Sequence, residues 1–282
     1  MTMDESRFLG SAVAMAAGLY CKFERDVIVQ QLDALRRRQE LLRRAARRAL
    51  GDPAAIEFSG LAGVRRVLQG LDDGRKIVLA GALLGLTTAP GLALRSMGLK
   101  IATVFGSLDE AHRVHLEAAG IRLIDLRVQN KFALFHLLRN LQAEGHLLVL
   151  RCDVPGRSSR RYRFLGYDVM CSNLIETYAR LNGCAVVPIE TSPISEREMT
   201  VTCGEPLDGP AETTQTLLSW LESSICRDPV NYAWSGTSII FSDTRAVRNG
   251  FACLPQIIAW RDRRGLSEAA DGLSAANSGF HA

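Results

Sequence analysis

Leu148-Val149-Leu150-Arg151-Cys152-Asp153-Val154-Pro155-Gly156 is the stretch on which the reading of the fold turns. Apolar residues run straight into charge and then into Pro-Gly. A short apolar run closed by turn residues reads as a buried strand with a polar carboxyl end. In open α/β sheets ligands bind beyond the carboxyl ends of the strands, so Arg151 and Asp153 stand where a site is expected. The competing reading is local, with Asp153 capping an arginine-rich surface hairpin.

Working outward from this strand, taken as 146–150, the same pattern recurs on both sides. Residues 76–79 form a short apolar strand, and a helix follows to Met97, with Pro90 in its first turn and Gly98 closing it. Strands are expected at 100–105, 121–126, 185–189 and 199–201, and helices at 109–119, 131–143, 173–182 and 211–226. Short apolar strands separated by helices predict an α/β fold with a mainly parallel central sheet flanked by helices. There is no internal repeat.

Before Gly51-Asp52-Pro53 the periodicity changes. Ile28, Leu32, Leu35, Leu42, Ala46 and Ala49 lay an apolar stripe along one helix, in a helical segment spanning about 5–50. Off the stripe stand Arg36, Arg37, Arg38, Arg43, Arg44, Arg47 and Arg48, offset only by Glu40. Two readings stay open. One is a solvated outer face. The other is contact with an anionic membrane surface or an acidic carrier protein through Arg36, Arg37, Arg43, Arg44, Arg47 and Arg48. No zinc finger, reading helix or aromatic-interleaved patch accompanies the arginines, so nucleic acid is not the expected partner. The chain thus divides into an N-terminal amphipathic, Arg-rich helical segment (1–50), an α/β domain (51–265) and a disordered tail (266–282).

The net charge of +4 settles no partner by itself. Cys21, Cys152, Cys171, Cys184, Cys203, Cys226 and Cys253 show no CxxC pair and no zinc spacing, and read as reduced thiols. Residues 8–20 are too short and too rich in Gly and Ala to span a bilayer, and lack the leader and cleavage site of a signal peptide. These features point to the cytoplasm. The motif search finds no G-x-G-x-x-G, no phosphate-binding loop, no G-x-S-x-G elbow and no metal cluster. What remains is the strand end at Arg151 and Asp153, followed by a basic loop over 157–163 and then Phe164-Leu165-Gly166. Arg157, Arg160, Arg161 and Arg163 in such a loop suit a phosphate-bearing ligand.

Leu150-Arg151-Cys152-Asp153, then Arg163-Phe164-Leu165-Gly166-Tyr167, then Asn182-Gly183-Cys184-Ala185-Val186-Val187-Pro188 follow in order, and Arg227-Asp228-Pro229-Val230-Asn231-Tyr232-Ala233-Trp234 comes later. In order and spacing, over roughly residues 20–245, this set resembles the lipid A biosynthesis (lauroyl/myristoyl-type) acyltransferases of the lysophospholipid acyltransferase-like superfamily. The resemblance implies a glycerolipid acyltransferase-like fold and transfer of an acyl group from an acyl carrier protein or CoA thioester, with no further cofactor or metal. It implies a hydroxyl acceptor; an amine is the alternative that would need no base of the family's type, and the expected place is the cytoplasm or the inner face of the cytoplasmic membrane. It also implies Asp153 as the carboxylate of the site, with Arg151, Arg157, Arg160, Arg161, Arg163, Phe164 and Gly166 around the substrate.

The chain departs from the family at its catalytic block, Leu83-Leu84-Gly85-Leu86-Thr87-Thr88. Anchored on Gly85 and Gly98, this block sets Leu83 where the family has its histidine and Thr88 where it has its carboxylate. The histidine is the family's general base, and such proton transfer contributes about a hundred- to ten-thousand-fold to rate. Leu83 cannot accept a proton, though it and Gly85 suit the wall of an acyl pocket. His112 and Glu117 have the right spacing but lie in a helix one strand too late, where a solvated face is expected. Cys152 is the best-placed thiol, with no electropositive setting evident. Three readings follow: a divergent acyltransferase relying on Asp153, a catalytically inactive acyl-, lipid- or carrier-binding protein, and a membrane-surface scaffold using the arginine-rich helix.

Overall fold

Apolar strands alternating with amphipathic helices are what the chain adopts. The structure, a computed structural model, describes residues 55–207 apart from 72–74, 83, 85–87, 106–109, 127–129, 155–158 and 165–166, together with 213–227, residue 231 and positions 37, 40, 41, 44, 45 and 48. The chain divides into two compact units, one of 40–160 with 171–217 and the other of 1–39, 161–170 and 218–282. In chain order the elements are β1 (Glu57–Ser59), α1 (Leu61–Gly70), β2 (Ile77–Gly81), α2 (Ala89–Ser96), β3 (Lys100–Phe105), α3 (Glu110–Ala118), β4 (Ile121–Asp125) and α4 (Lys131–Ala143). They continue with β5 (His146–Arg151), β6 (Ser159–Phe164), β7 (Tyr167–Ser172), α5 (Leu174–Asn182), β8 (Ala185–Pro193), β9 (Glu198–Cys203) and α6 (Thr213–Arg227).

Among the described residues the main sheet has seven strands in the order β1-β9-β8-β2-β5-β3-β4. β2 is parallel to both β5 and β8, and β3 is parallel to both β5 and β4. β9 returns antiparallel to β8, and β1 lies parallel to β9 at the edge. The central strands are covered on both faces, which is why they read as unbroken apolar runs rather than alternating ones. In register, Leu79 faces Val149 and Val187, and Val78 faces Leu148 and Val186.

Alternate residues feed two different layers. Leu79, Ile101, Ile121, Val149 and Val187 share one core with Ala89, Leu92, Ala93 and Leu94 of α2, Val64 of α1 and Leu116 of α3. Val78, Ala80, Leu148, Leu150 and Val186 are equally buried, and α4 and α5 pack against β5, β2 and β8. Right-handed crossovers put helices on opposite faces when the chain moves in opposite directions along a sheet. Gln142 of α4 binds this layer together. Its Nε2 donates to the Ile77 carbonyl at 3.0 Å, and its Oε1 accepts from the Tyr178 hydroxyl at 2.7 Å. The Phe135 and Tyr178 rings meet edge to face with centroids 5.7 Å apart.

Three features differ from the sequence reading. The basic loop expected over 157–163 is, from Ser159 onward, strand β6, paired with β7 in a separate two-stranded sheet. Only two residues join these strands, so they run antiparallel. The period of two was present, with Arg161 and Arg163 exposed, Tyr162 half-buried and Phe164 buried, but arginines on the open face made it look like a loop. Strand β8 runs on past Ile189 to Pro193. β1 and α1 went unread; they are joined at Gly60, whose φ of +82° and approach to the Val201 carbonyl, 2.2 Å from where a Cβ would lie, require glycine.

Positions 37, 40, 41, 44, 45 and 48 are helical, and Ala45 is wholly buried in the core. The rest of the expected 5–50 helix and the 266–282 tail lie outside the described residues, as does Trp234 of the closing segment. Among the described residues no helix is long and apolar enough to cross a membrane.

Candidate functional site

After β2 the chain moves toward β3, and after β5 it moves the other way, toward β8. β2 and β5 are neighbours, so their crossovers part at the carboxyl ends of the two central strands. That divergence opens a crevice between adjacent strand ends in open α/β sheets. Gly81 ends β2 and Arg151 ends β5, and the two are register partners. The Cys152 N–H donates to the Gly81 carbonyl at 2.9 Å, extending the ladder by one residue.

At this edge the Asp153 side chain is completely buried, and Arg151 Nε donates to its Oδ1 at 3.3 Å. Arg151 itself keeps about a third of its side-chain surface exposed, but its Nη2 is buried and makes no hydrogen bond among the described residues. The end of β7 runs alongside. Ser172 N–H donates to the Val154 carbonyl at 2.9 Å, and Cys171 Sγ donates to the Cys152 carbonyl at 2.8 Å. Burial, and next the nearby Asp153 charge, push the Cys171 thiol up to about 12 and the Cys152 thiol well above its ordinary range. Cys152 is therefore a buried, protonated thiol, not an activated nucleophile.

The neighbouring strand ends complete the edge. Thr191 of β8 is buried, and its Oγ1 donates to the Leu84 carbonyl at 3.4 Å, tying β8 to the segment that follows β2. Thr88 precedes α2 as its N-cap residue, half-buried, with no side-chain capping bond. Leu83 and Gly85 lie outside the described residues.

Arg160 is exposed and faces Glu176 of α5, 3.7 Å away. Arg161 and Arg163 are exposed on β6, and Phe164 in the same strand is fully buried. Arg157 and Gly166 lie outside the described residues, as do Arg36, Arg43 and Arg47. Arg44 donates to Glu196 at 2.8 Å and to Glu40 at 3.1 Å, and Arg48 lies 3.5 Å from Glu196. Hydrogen bonding from Arg44 is the main cause holding the Glu196 carboxyl below its usual range. Arg37 is exposed.

Of the histidines, His146 opens β5 at the end opposite Arg151, His136 is exposed on α4, and His115 is half-buried on α3. The side chain of His112 is outside the described set. Among the described residues no group of three or more His, Cys, Asp or Glu side chains could hold a metal ion.

One residue at this edge was missed. Asn173 precedes α5 with Glu176 three positions on, a spacing that reads as a capping box and so as purely structural. Neither member caps. Asn173 has φ −94° and ψ 23°, outside the extended conformation that aims a capping oxygen at the first turn, and makes no side-chain capping bond. Its Oδ1 is buried and without a hydrogen-bond partner among the described residues. Glu176 instead accepts from the Thr214 N–H at 3.2 Å and faces Arg160. No family model matches the chain, and no curated protein matches it.

Proposed function

We propose that the protein transfers an acyl group from an acyl carrier protein or CoA thioester to an amine or hydroxyl acceptor, without the histidine that the family its sequence resembles would use. The observation that carries this reading is the fully buried Asp153 held by Arg151 where the crossovers of β2 and β5 part. A carboxylate wholly removed from water is costly unless it is paired, and the carboxyl ends of strands in open α/β sheets are where ligands bind.

In the reaction the acceptor's lone pair adds to the thioester carbonyl carbon. The C–S bond then breaks, and the sulfur leaves with the bonding electrons. Asp153 takes the proton lost by the acceptor and passes it to the thiolate, so the products are the acylated acceptor and a free thiol. An amine is nucleophilic enough for orientation to supply much of the acceleration. Arg151 fixes the carboxylate through Nε. Leu83, with its apolar side chain, suits the wall beside an acyl chain. Attachment of the chain to an anionic membrane face through its arginine-rich segment belongs to the same proposal.

A second reading, an acyl- or carrier-binding protein without turnover, is favoured by Leu83 and Thr88 at the family's catalytic places and by the inert Cys152 thiol. The two separate on one assay. Purified protein is offered a panel of acyl thioesters with lysolipid, amine and amino-acid acceptors, and free thiol and product mass are followed. Acceptor-dependent product supports the transferase. Retained acyl ligand with no product from any donor supports the binding protein.

A further inference from the structure

At the Asp153 edge two complementary atoms are buried and lack hydrogen-bond partners among the described residues: the donor Arg151 Nη2 and the acceptor Asn173 Oδ1. Asn173 is 6% exposed. It is next in sequence to Ser172, whose N–H is bonded to the Val154 carbonyl, one residue past Asp153. Leaving such an atom unpaired costs stability, and each buried group of this kind needs a reason.

Asn130 shows what the same residue type does when it caps a helix. It precedes α4 with φ −76° and ψ 162°, and its Oδ1 accepts from the Ala133 N–H at 2.8 Å. The same residue type before α5 makes no side-chain capping bond, and its capping-box partner Glu176 is drawn off to Thr214 and Arg160. A local rule is thus broken twice at one helix start, beside a buried carboxylate, which is where function is expected to override local preference.

We propose that these atoms form the acceptor subsite, and that the acceptor is a small zwitterion carrying an N–H donor and an anionic group a few atoms apart. This rests on the acyl-transfer reading and names its acceptor class. Arg151 Nη2 takes the anion, carboxylate or phosphate, in the geometry guanidinium favours for both. Asn173 Oδ1 accepts one N–H of the amine and so steers the nitrogen toward Asp153; the ammonium releases one proton to solvent before the freed lone pair attacks, and Asp153 receives the second on acylation and passes it to the leaving thiolate. Asn173 is a binding residue that touches the acceptor, with no part in capping α5.

Binding to the full-length chain tests this without turnover, by ligand-observed NMR with glycine, phosphoethanolamine, ethanolamine and acetate. Glycine or phosphoethanolamine is expected to bind at least about tenfold more tightly than ethanolamine or acetate, and the tighter of the two identifies the anion. Asn173→Ala is expected to weaken that binding about tenfold without lowering Tm, because no cap is lost and an unpaired buried oxygen is removed. Asn173→Asp, which keeps an acceptor oxygen, is expected to retain binding. Equal binding of ethanolamine, absence of binding by all four compounds, or a fall in Tm without loss of affinity in Asn173→Ala would overturn the inference. Thiol release to some other acceptor, with no zwitterion bound, defeats this inference and leaves the transferase standing. Zwitterion binding with no thioester ever consumed defeats the transferase instead.

Discussion

Asn130 and Asn173 are one residue type given two tasks by backbone conformation. The extended Asn130 caps α4, so Asn130→Ala is expected to lower stability by about 1 kcal/mol in denaturant titration. An unchanged midpoint would contradict the cap. Cys152 and Cys171 allow a second test at this scale. Their pKa values are raised in the folded chain by burial, so between the ordinary thiol range and about 12 the folded protein holds protons that the unfolded chain gives up. Their contribution to stability is therefore complete below the ordinary range and is lost as pH rises through that window. At pH 8 both thiols are expected to resist iodoacetamide in the native protein and to react in urea. Preferential labelling of native Cys152 would contradict the description of that thiol as inert. The strand end at Arg151 and Asp153 was legible in the sequence because apolar residues meet charge and Pro-Gly there. Asn173 was hidden by a spacing that imitates a cap, and only its φ and ψ show otherwise.

Helix α4 joins α5 largely through Gln142, Tyr178 and Phe135. Tyr178→Phe keeps the ring contact and removes the hydroxyl that Gln142 Oε1 accepts, leaving that oxygen with Cys184 Sγ at 3.7 Å. The expected loss is about 1 kcal/mol in denaturant titration, with little change in m; no loss would show that water replaces the hydroxyl without cost. Most elements were readable from apolar runs and closing glycines: β2, β3, β4, β5 and β8 as short buried strands, and α2 through α5 between them. The elements that escaped are those in which apolar periodicity is diluted. In β6 arginine occupies the open face, and β1 is three residues long and needs β9, distant in sequence, as its partner. Arg44 and Arg48 show the same limit. A helical stripe of arginines can be read from spacing, but their shared partner Glu196 lies in the β8–β9 turn and is brought to them only by folding.

For the molecule as a whole, strand order brings the site into being. β2 and β5 are far apart in sequence yet adjacent in the sheet, and the divergence of their crossovers sets Gly81, Arg151 and Asp153 at one edge. A parallel α/β sheet was evident from the alternation of elements, whereas strand order, and with it the switch point, depends on long-range pairing that periodicity does not encode. The central claim is that acyl transfer here depends on Asp153 rather than on a histidine. Acceptor-dependent release of thiol from an acyl thioester, compared between wild type and a folded Asp153→Asn variant, tests it most directly. A fall of roughly a hundredfold or more in rate, with thioester still bound, is the predicted result. An unchanged rate in Asp153→Asn would contradict it.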